Sequence, residues 1–240
     1  MSPLSRSLLA MVAGFCDTAT FIHMGGVFSA HVTGNFVLFA AALAQGIQGN
    51  DYLKIATLPV FVIGVAIAVL VAGRRHAPRY KVKRVLLIIT LLLLVTAVLA
   101  VTANHRQAGI QLGNVDVLIT LLLVVAMAMQ NTIHRFVAGP MTTVMTGTVM
   151  NTTASLVSRY IMRIEGGQKL IPAPGANPLM MIAAFALGCV VAGFLTVKFG
   201  LASVVLPAGL LCLVVLFESR SQELIDSQSR AIGAIGGQCT

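Results

Sequence analysis

Two short stretches interrupt the apolar pattern of this chain: FSAHVTGNF, residues 28–36, and MTTVMTGTVM, residues 141–150. Both contain Thr-Gly followed by a small polar residue, which is Asn35 in the first stretch and Thr148 in the second. Polar groups in hydrocarbon are costly unless they find hydrogen-bonding partners. The two stretches therefore indicate buried polar positions, and the surrounding sequence decides how the chain reaches them.

The composition is typical of a polytopic, all-α membrane protein. Of 240 residues, 58% are hydrophobic and 10% are charged, and the mean hydropathy is +0.94, whereas a soluble domain has roughly 25% charged residues. The longest runs suit helical spans of about 20 residues and lack the alternation of membrane β-strands. The predicted apolar stretches are residues 4–24, 27–46, 55–73, 85–103, 115–133, 140–158, 178–197 and 201–217.

The order of these stretches predicts two similar halves. An offset of 113 residues aligns Asp17 with Gln130 and Gly34 with Gly147. A slightly larger offset aligns Gly64 with Gly188. We therefore predict one membrane domain over residues 1–217, with repeats at about 4–103 and 115–217. A polar and disordered tail is predicted for residues 218–240.

The distribution of positive charge separates two topologies. Six of the sixteen Lys and Arg residues lie in RRHAPRYKVKR, from Arg74 to Arg84. If both Thr-Gly segments are re-entrant or short broken helices, six spans place thirteen basic residues on one side and three on the other. Eight crossing helices in a parallel 4+4 repeat place eight on each side. The positive-inside rule favours six spans with cytoplasmic N- and C-termini; eight spans remain the alternative.

In the six-span topology the two halves form an inverted repeat, which is a recurring architecture of membrane transporters. We expect the two Thr-Gly segments to meet as pivots at a central polar site. Gly34 and Gly147 would supply the backbone angles of each sharp turn.

Asp17 is the strongest candidate for chemistry, because a charged residue within a span costs roughly 2.5–3.5 kcal/mol on insertion scales. It is interpreted either as a group that binds and releases a proton or as a structural carboxyl that caps the pivot. His31 has the same two interpretations, titration or hydrogen bonding between helices. The predicted substrate or ion pathway comprises Asp17, His31, Thr33, Gly34, Asn35, Gln130, Asn131, Thr146, Gly147 and Thr148.

A glycine turn is predicted before each Thr-Gly segment, at Gly26 and at Gly139, and three basic residues near these turns are candidates for solute entrances. His23, His134 and Arg135 would attract anions there, or would extend toward lipid headgroups. The loop from Arg74 to Arg84 is expected to contact anionic headgroups as well.

Known catalytic and metal-binding motifs are missing from the sequence, so we predict neither an enzyme nor a cofactor or metal. The four cysteines show no spacing typical of a disulfide framework. The expected partners are the lipid bilayer and a small solute, not nucleic acid, and self-association into a homo-oligomer is left open.

Two segments resemble a known family: AGFCDTATFIHMGGVFSAHVTGN, residues 13–35, and AMAMQNTIHRF with TTVMTGTV, within residues 126–149. They resemble the YoaK-like family of bacterial integral membrane proteins, a domain-of-unknown-function family, over about residues 8–217. The resemblance implies a compact inner-membrane protein of about six spans. It supplies no substrate, and Thr148 stands where a second Thr-Gly-Asn would have asparagine.

The sequence leaves three hypotheses for function. The first is a small-solute transporter or channel, with an anion as one candidate solute and proton coupling through Asp17. The second is a non-transporting membrane assembly or regulatory protein whose polar residues pack helices. The third is a membrane enzyme that acts on lipid, with His31 and Asp17 as an acid–base pair.

Overall fold

The structure, a computed structural model, describes the backbone of residues 1–47, 49, 51–73, 77–103, 113–137, 142–143, 145–160 and 177–236, and the side chains of all of these except 79, 158–160 and 221–236. Within these ranges every regular element is a helix. The α-helices are α1 (Pro3–His23), α2 (Val32–Gln45), α3 (Asp51–Ala72), α4 (Pro78–Thr102), α5 (Asn114–Thr132), α6 (Met145–Tyr160), α7 (Pro178–Phe199) and α8 (Val205–Gly236). Two 3₁₀ helices, Ile133–Arg135 and Gly200–Val204, follow α5 and α7.

Local sequence signals mark where several helices begin. The side chains of Ser2 and Asn177 cap the first turns of α1 and α7. Pro3 and Pro178 follow these caps, where proline is well tolerated because its missing N–H would have no partner in the helix.

Two helix pairs in the bundle pack closely along each other. α1 packs along α7 and α3 packs along α5, and glycine allows both close approaches. Gly188 of α7 lies against the backbone of Met11 in α1. Gly64 of α3 lies against α5, where an added Cβ would be 3.1 Å from Val125 Cα. Around these pairs α2 packs on α3, α6 packs on α7, and α4 packs on both α5 and α8.

α1 and α5, the first helices of the two halves, run in opposite directions. Near the start of α1, the Leu9 carbonyl accepts a hydrogen bond of 2.8 Å from Nε2 of Gln130, near the end of α5. At the end of α1, His23 Nε2 lies 3.1 Å from Oδ1 of Asp116, near the start of α5. These two contacts fix the antiparallel arrangement.

Distant parts of the chain meet at one end of the bundle. Met1, Lys83 of α4 and Glu218 of α8 line one cavity of about 130 Å³. The Ser2 N–H also donates to the Glu218 carboxylate at 3.0 Å. The start of the chain, the start of α4 and the middle of α8 therefore lie at the same end.

Four helical stretches of the described residues are long and apolar enough to cross a membrane: Asp51–Ala72, Tyr80–Thr102, Asn114–Arg135 and Pro178–Arg220. The last contains 43 residues, about twice the length of one span. It includes α7 and the first half of α8, and between them Gly200 adopts a φ of +57°. The prediction of a helical, polytopic membrane protein is confirmed at this level.

The helices that contain the Thr-Gly segments are short, as predicted for a re-entrant or broken helix, and each is shorter than the apolar stretch in which it lies. α2 has 14 residues and begins at Val32, and residues 24–31 before it are not helical. α6 has 16 residues and begins at Met145. Part of the second predicted stretch, residues 140–141 and 144, lies outside the described residues.

The predicted turn at Gly26 is confirmed, and its counterpart at Gly139 lies outside the described residues. The prediction that Gly34 and Gly147 also supply sharp turns is wrong. Both lie in the first turn of a helix, and neither has a positive φ. The chain reverses after α1 at Gly25 and Gly26, whose φ values are +67° and +95°. Glycine is suited to these angles because it lacks a Cβ atom.

α8 continues as a helix through Gly236, whereas the polar composition predicts a disordered tail from Glu218. Between Gly209 and Gly233 the sequence has neither glycine nor proline to end the helix. Residues 237–240 lie outside the described part of the chain.

Replacing Gly188 with alanine should lower the stability of the bundle. The added Cβ would overlap the Met11 carbonyl, and overpacking of this kind costs roughly 1–3 kcal/mol. Gly193, on the same helix, is the matched control, because no packed neighbour among the described residues lies within 4 Å of the position that an added methyl group would take. A thermal unfolding assay in detergent should show a lower Tm for Gly188→Ala and an equal or higher Tm for Gly193→Ala. Equal losses in both variants would contradict the close α1–α7 packing.

Candidate functional site

A non-helical segment of eight residues, 24–31, joins α1 to α2 and folds back along α1. The reversal is tight, since the Gly26 N–H donates to the Phe21 carbonyl at 2.8 Å. Past the reversal, Val27, Ser29 and Ala30 are buried. The segment therefore brings exposed peptide groups into an apolar bundle, where each needs a partner.

Asp17 supplies those partners from the middle of α1. Its Oδ1 accepts a hydrogen bond of 2.6 Å from the Ala30 N–H and longer ones, 3.4 Å each, from the His31 N–H and Ser29 Oγ. Its Oδ2 is hydrogen-bonded to His31 Nδ1. The Asp17 residue is only 4% exposed. A carboxylate with several donors suits this position, because charge-assisted hydrogen bonds are stronger than neutral ones.

His31 links this segment to the second half of the chain. Its ring lies edge-on to Phe28, with centroids 6.2 Å apart, and to Phe185 of α7, with centroids 5.9 Å apart. The His31 side chain is 35% exposed, whereas the Asp17 side chain is buried. The imidazole is thus the more accessible member of the pair.

Asn35 holds the same segment from the side of α2. Its amide forms a pair of hydrogen bonds with the Phe28 backbone, 2.8 Å to N and 2.9 Å to O. Its Nδ2 also donates to Thr57 Oγ1 of α3 at 2.9 Å. Asn35 is fully buried, so this amide fixes the segment between α2 and α3.

A related arrangement occurs in the second half. Gln130 Nε2 donates to Thr142 Oγ1 at 3.2 Å, and Asn131 Oδ1 accepts from Thr143 Oγ1 at 2.8 Å. Gln130 and Thr142 are 12 positions apart, as are Asp17 and Ser29. Gln130 Oε1 is buried and has no hydrogen-bonding partner among the described residues.

The structure brings together only part of the predicted pathway. Asp17 and Asn35 both bind residues 28–31, and Asp17 pairs with His31, whereas Thr33 and Thr146 are exposed. Gly34 leaves room for the Phe28 ring, which would lie 3.2 Å from an added Cβ, and no packed atom of the described residues lies within 4 Å of a Cβ added at Gly147.

The remaining polar residues of the second half contribute locally. Thr148 is buried, and its carbonyl accepts a hydrogen bond from Thr152 Oγ1 at 2.6 Å. His134 Nδ1 is hydrogen-bonded to the Asn131 carbonyl, and Arg135 is exposed.

The residue His23 is buried against Asp116 rather than extended toward headgroups. Asp116 was missed by the sequence analysis, as were Ser29 and Thr57. Ser29 could have been found from its spacing of 12 positions from Asp17, which Thr142 and Gln130 repeat. Asp116 gave no such signal, because its partner lies 93 positions away.

The site places a carboxylate and an imidazole in direct contact. Among the described residues no group of three or more His, Cys, Asp or Glu side chains is placed to hold a metal ion. The carboxylate–imidazole pair of Asp17 and His31 can share and transfer a proton between their facing atoms.

A family model described as "Protein of unknown function (DUF1275)" matches residues 6–217. The chain belongs to the DUF1275 family. It is also 30% identical, over 161 residues, to the UPF0700 transmembrane protein YoaK of Bacillus subtilis (strain 168). The aligned part covers 65% of this chain and 68% of YoaK. These matches confirm the predicted YoaK-like resemblance and the membrane assignment, and no solved structure matches the chain.

Asn35→Ala should destabilise the protein, because it leaves the Phe28 N–H without its acceptor, and an unsatisfied buried group costs roughly 1–3 kcal/mol. Thr33→Ala, on the same helix but exposed, is the control and should change the Tm little. Thermal unfolding in detergent measures both. A Tm for Asn35→Ala that matches the Thr33→Ala value would show that the Asn35 contacts do not hold the segment.

Proposed function

We propose that the protein moves a small solute across the bacterial inner membrane, as a transporter or channel, with Asp17 and His31 at its central polar site. One observation carries the proposal: a buried carboxylate, paired with a partly exposed imidazole, holds non-helical backbone inside an apolar helix bundle. Backbone of this kind is tolerated at membrane depth only where protein buries it or where it lines a water-filled path. In known transporters such broken helices form substrate and ion sites.

The proposed architecture is an inverted repeat with six spans, in which α2 and α6 are re-entrant. At 1.5 Å per residue, α2 is about 21 Å long and α6 about 24 Å, less than a hydrocarbon core of about 30 Å. The antiparallel arrangement of α1 and α5 supports this topology, because a parallel 4+4 repeat would make the two helices parallel.

Internal packing supports the same repeat. Gly64 and Gly188, which the alignment of the two halves pairs, each sit against the first helix of the opposite half. Asp17 with Ser29 and Gln130 with Thr142 occupy corresponding positions. The two halves thus share both a packing contact and a polar contact.

The proposed orientation of the bundle in the membrane rests on the charge at the end where Met1 lies. Met1, Lys83 and Glu218 lie at that end, and Lys83 belongs to the basic stretch of residues 74–84. By the positive-inside rule this end is cytoplasmic. Both termini are then cytoplasmic, and His23 lies toward the opposite face.

In this proposal Asp17 is the proton carrier. Its carboxylate already binds the His31 imidazole, whose ring is partly exposed and gives a route for the proton. Protonation of Asp17 would weaken its bonds to the Ala30 and His31 N–H groups, since a neutral carboxyl is a poorer acceptor. A proton would therefore loosen residues 29–31, which lie between α1 and α7.

A second candidate function, a non-transporting membrane assembly or regulatory protein, is favoured by a specific observation. The Asp17 and Asn35 side chains direct their hydrogen bonds to the chain's own residues. Met1 lines two cavities, the one described above and a smaller one beside Gln130. Neither of these cavities is lined by Asp17, His31 or Asn35. On this alternative the polar residues serve only to build the fold.

A proteoliposome assay separates the two functions. Vesicles that contain the protein and a pH-sensitive dye are exposed to gradients of chloride, nitrate, formate, acetate, phosphate, urea and glycerol. We expect at least one solute to change the internal pH, and Asp17→Asn to slow this change at least tenfold. Asparagine keeps an acceptor for the Ala30 N–H but cannot release a proton.

The matched control is Asp116→Asn, which alters another buried aspartate paired with a histidine but should retain proton movement. Unchanged proton movement in Asp17→Asn would exclude coupling through Asp17. If no solute moves and Asp17→Asn lowers only the Tm, the assembly function is the better account.

A further inference from the structure

The larger cavity at Met1 lies outside the proposed transport site, and both apolar and charged side chains line it. It measures about 130 Å³ and lies between the first turns of α4 and the middle of α8. Val82, Leu86, Val137 and Val215 form an apolar wall, and Lys83 and Glu218 supply charge. An apolar wall beside charged groups is suited to an amphipathic ligand.

The two charged groups differ in what they already bind. The Glu218 carboxylate accepts from the Ser2 N–H at 3.0 Å and lies 3.9 Å from the N-terminal ammonium group. Lys83 is exposed and makes no ion pair within the part of the chain that the structure describes. The ammonium group of Lys83 is thus the one available to an incoming anion.

The surroundings of the cavity are basic and face lipid. Lys83 is one of six Lys and Arg residues among residues 74–84. One turn further along α4, Leu87 is 47% exposed, and on α8 Leu216 and Phe217 are 59% and 51% exposed. A lipid whose headgroup lies at Lys83 would have apolar surface next to its acyl chains.

The geometry points to a binding site for an anionic phospholipid in this cavity. The headgroup phosphate pairs with Lys83, and the glycerol and first methylene groups pack on Val82, Leu86 and Val215. The basic residues of the loop attract anionic lipid. Each basic residue near the membrane surface contributes about 1 kcal/mol to the free energy of this attraction. A bound lipid would join α4 to α8, which come from different halves of the chain, at the proposed cytoplasmic end.

Native mass spectrometry of the purified full-length chain tests the site. The delipidated protein is titrated with phosphatidylglycerol and, separately, with phosphatidylcholine. We expect one phosphatidylglycerol to bind with clear preference over phosphatidylcholine. Lys83→Gln should weaken phosphatidylglycerol binding about fivefold, the equivalent of roughly 1 kcal/mol.

Two further variants make the test specific to the cavity. Val215→Trp fills the cavity without changing charge and should also reduce binding of the lipid. Lys198→Gln, an exposed lysine at the end of α7, near the other end of the bundle, is the control for charge and should bind normally. Equal weakening by Lys198→Gln, or normal binding by both Lys83→Gln and Val215→Trp, would overturn the proposal.

A competition experiment distinguishes a lipid from a free anion. Inorganic phosphate and glycerol phosphate are added at millimolar concentration to the complex with phosphatidylglycerol. Retention of the lipid supports a site that needs the apolar part of the ligand. Complete displacement by either small anion would show a simple phosphate site instead.

Discussion

The hydrogen bonds between the Asp17 carboxylate and the N–H groups of Ala30 and His31 are the interactions on which the rest of the structure depends. A chain that leaves its helix inside an apolar bundle exposes peptide groups that water cannot reach. Asp17 satisfies these groups from the neighbouring helix, and residues 24–31 fold back along α1. The folded segment also brings Phe28 within reach of Asn35, which in turn contacts Thr57 of α3.

In each half a buried polar side chain binds a residue twelve positions later in the chain, but the chemical groups differ. In the first half a carboxylate binds main-chain donors and a histidine, whereas in the second half the amides of Gln130 and Asn131 bind threonine hydroxyl groups. Only the first half therefore carries an ionisable group at this position. If the protein is a transporter, this asymmetry confines proton binding to one half and leaves the other half a neutral polar partner.

Much of the fold class and part of the site could be predicted from sequence, for physical reasons. Apolar runs must be helical in lipid, and a buried Asp17 had to find donors near the Thr-Gly segment. A turn at Gly26 could be predicted from sequence, whereas the helical conformation of Gly34 could not, because glycine permits both conformations and the packing of Phe28 on Gly34 is a tertiary contact. The His23–Asp116 pair joins residues that are far apart in the chain, so no local sequence pattern predicts it.

The most direct test of the account is the side of the membrane on which the two ends of the 24–45 segment lie. Single cysteines are introduced as Gly25→Cys and Gln45→Cys, each in a variant whose native cysteines are replaced, and labelled in intact spheroplasts with a membrane-impermeant maleimide. Cys239 in the unaltered chain provides the cytoplasmic reference, and lysed cells provide the positive control. The account predicts that both introduced thiols react in intact cells while Cys239 reacts only after lysis. Reaction of Gly25→Cys and Gln45→Cys from opposite sides would show that this segment crosses the membrane and would contradict the proposed re-entrant topology.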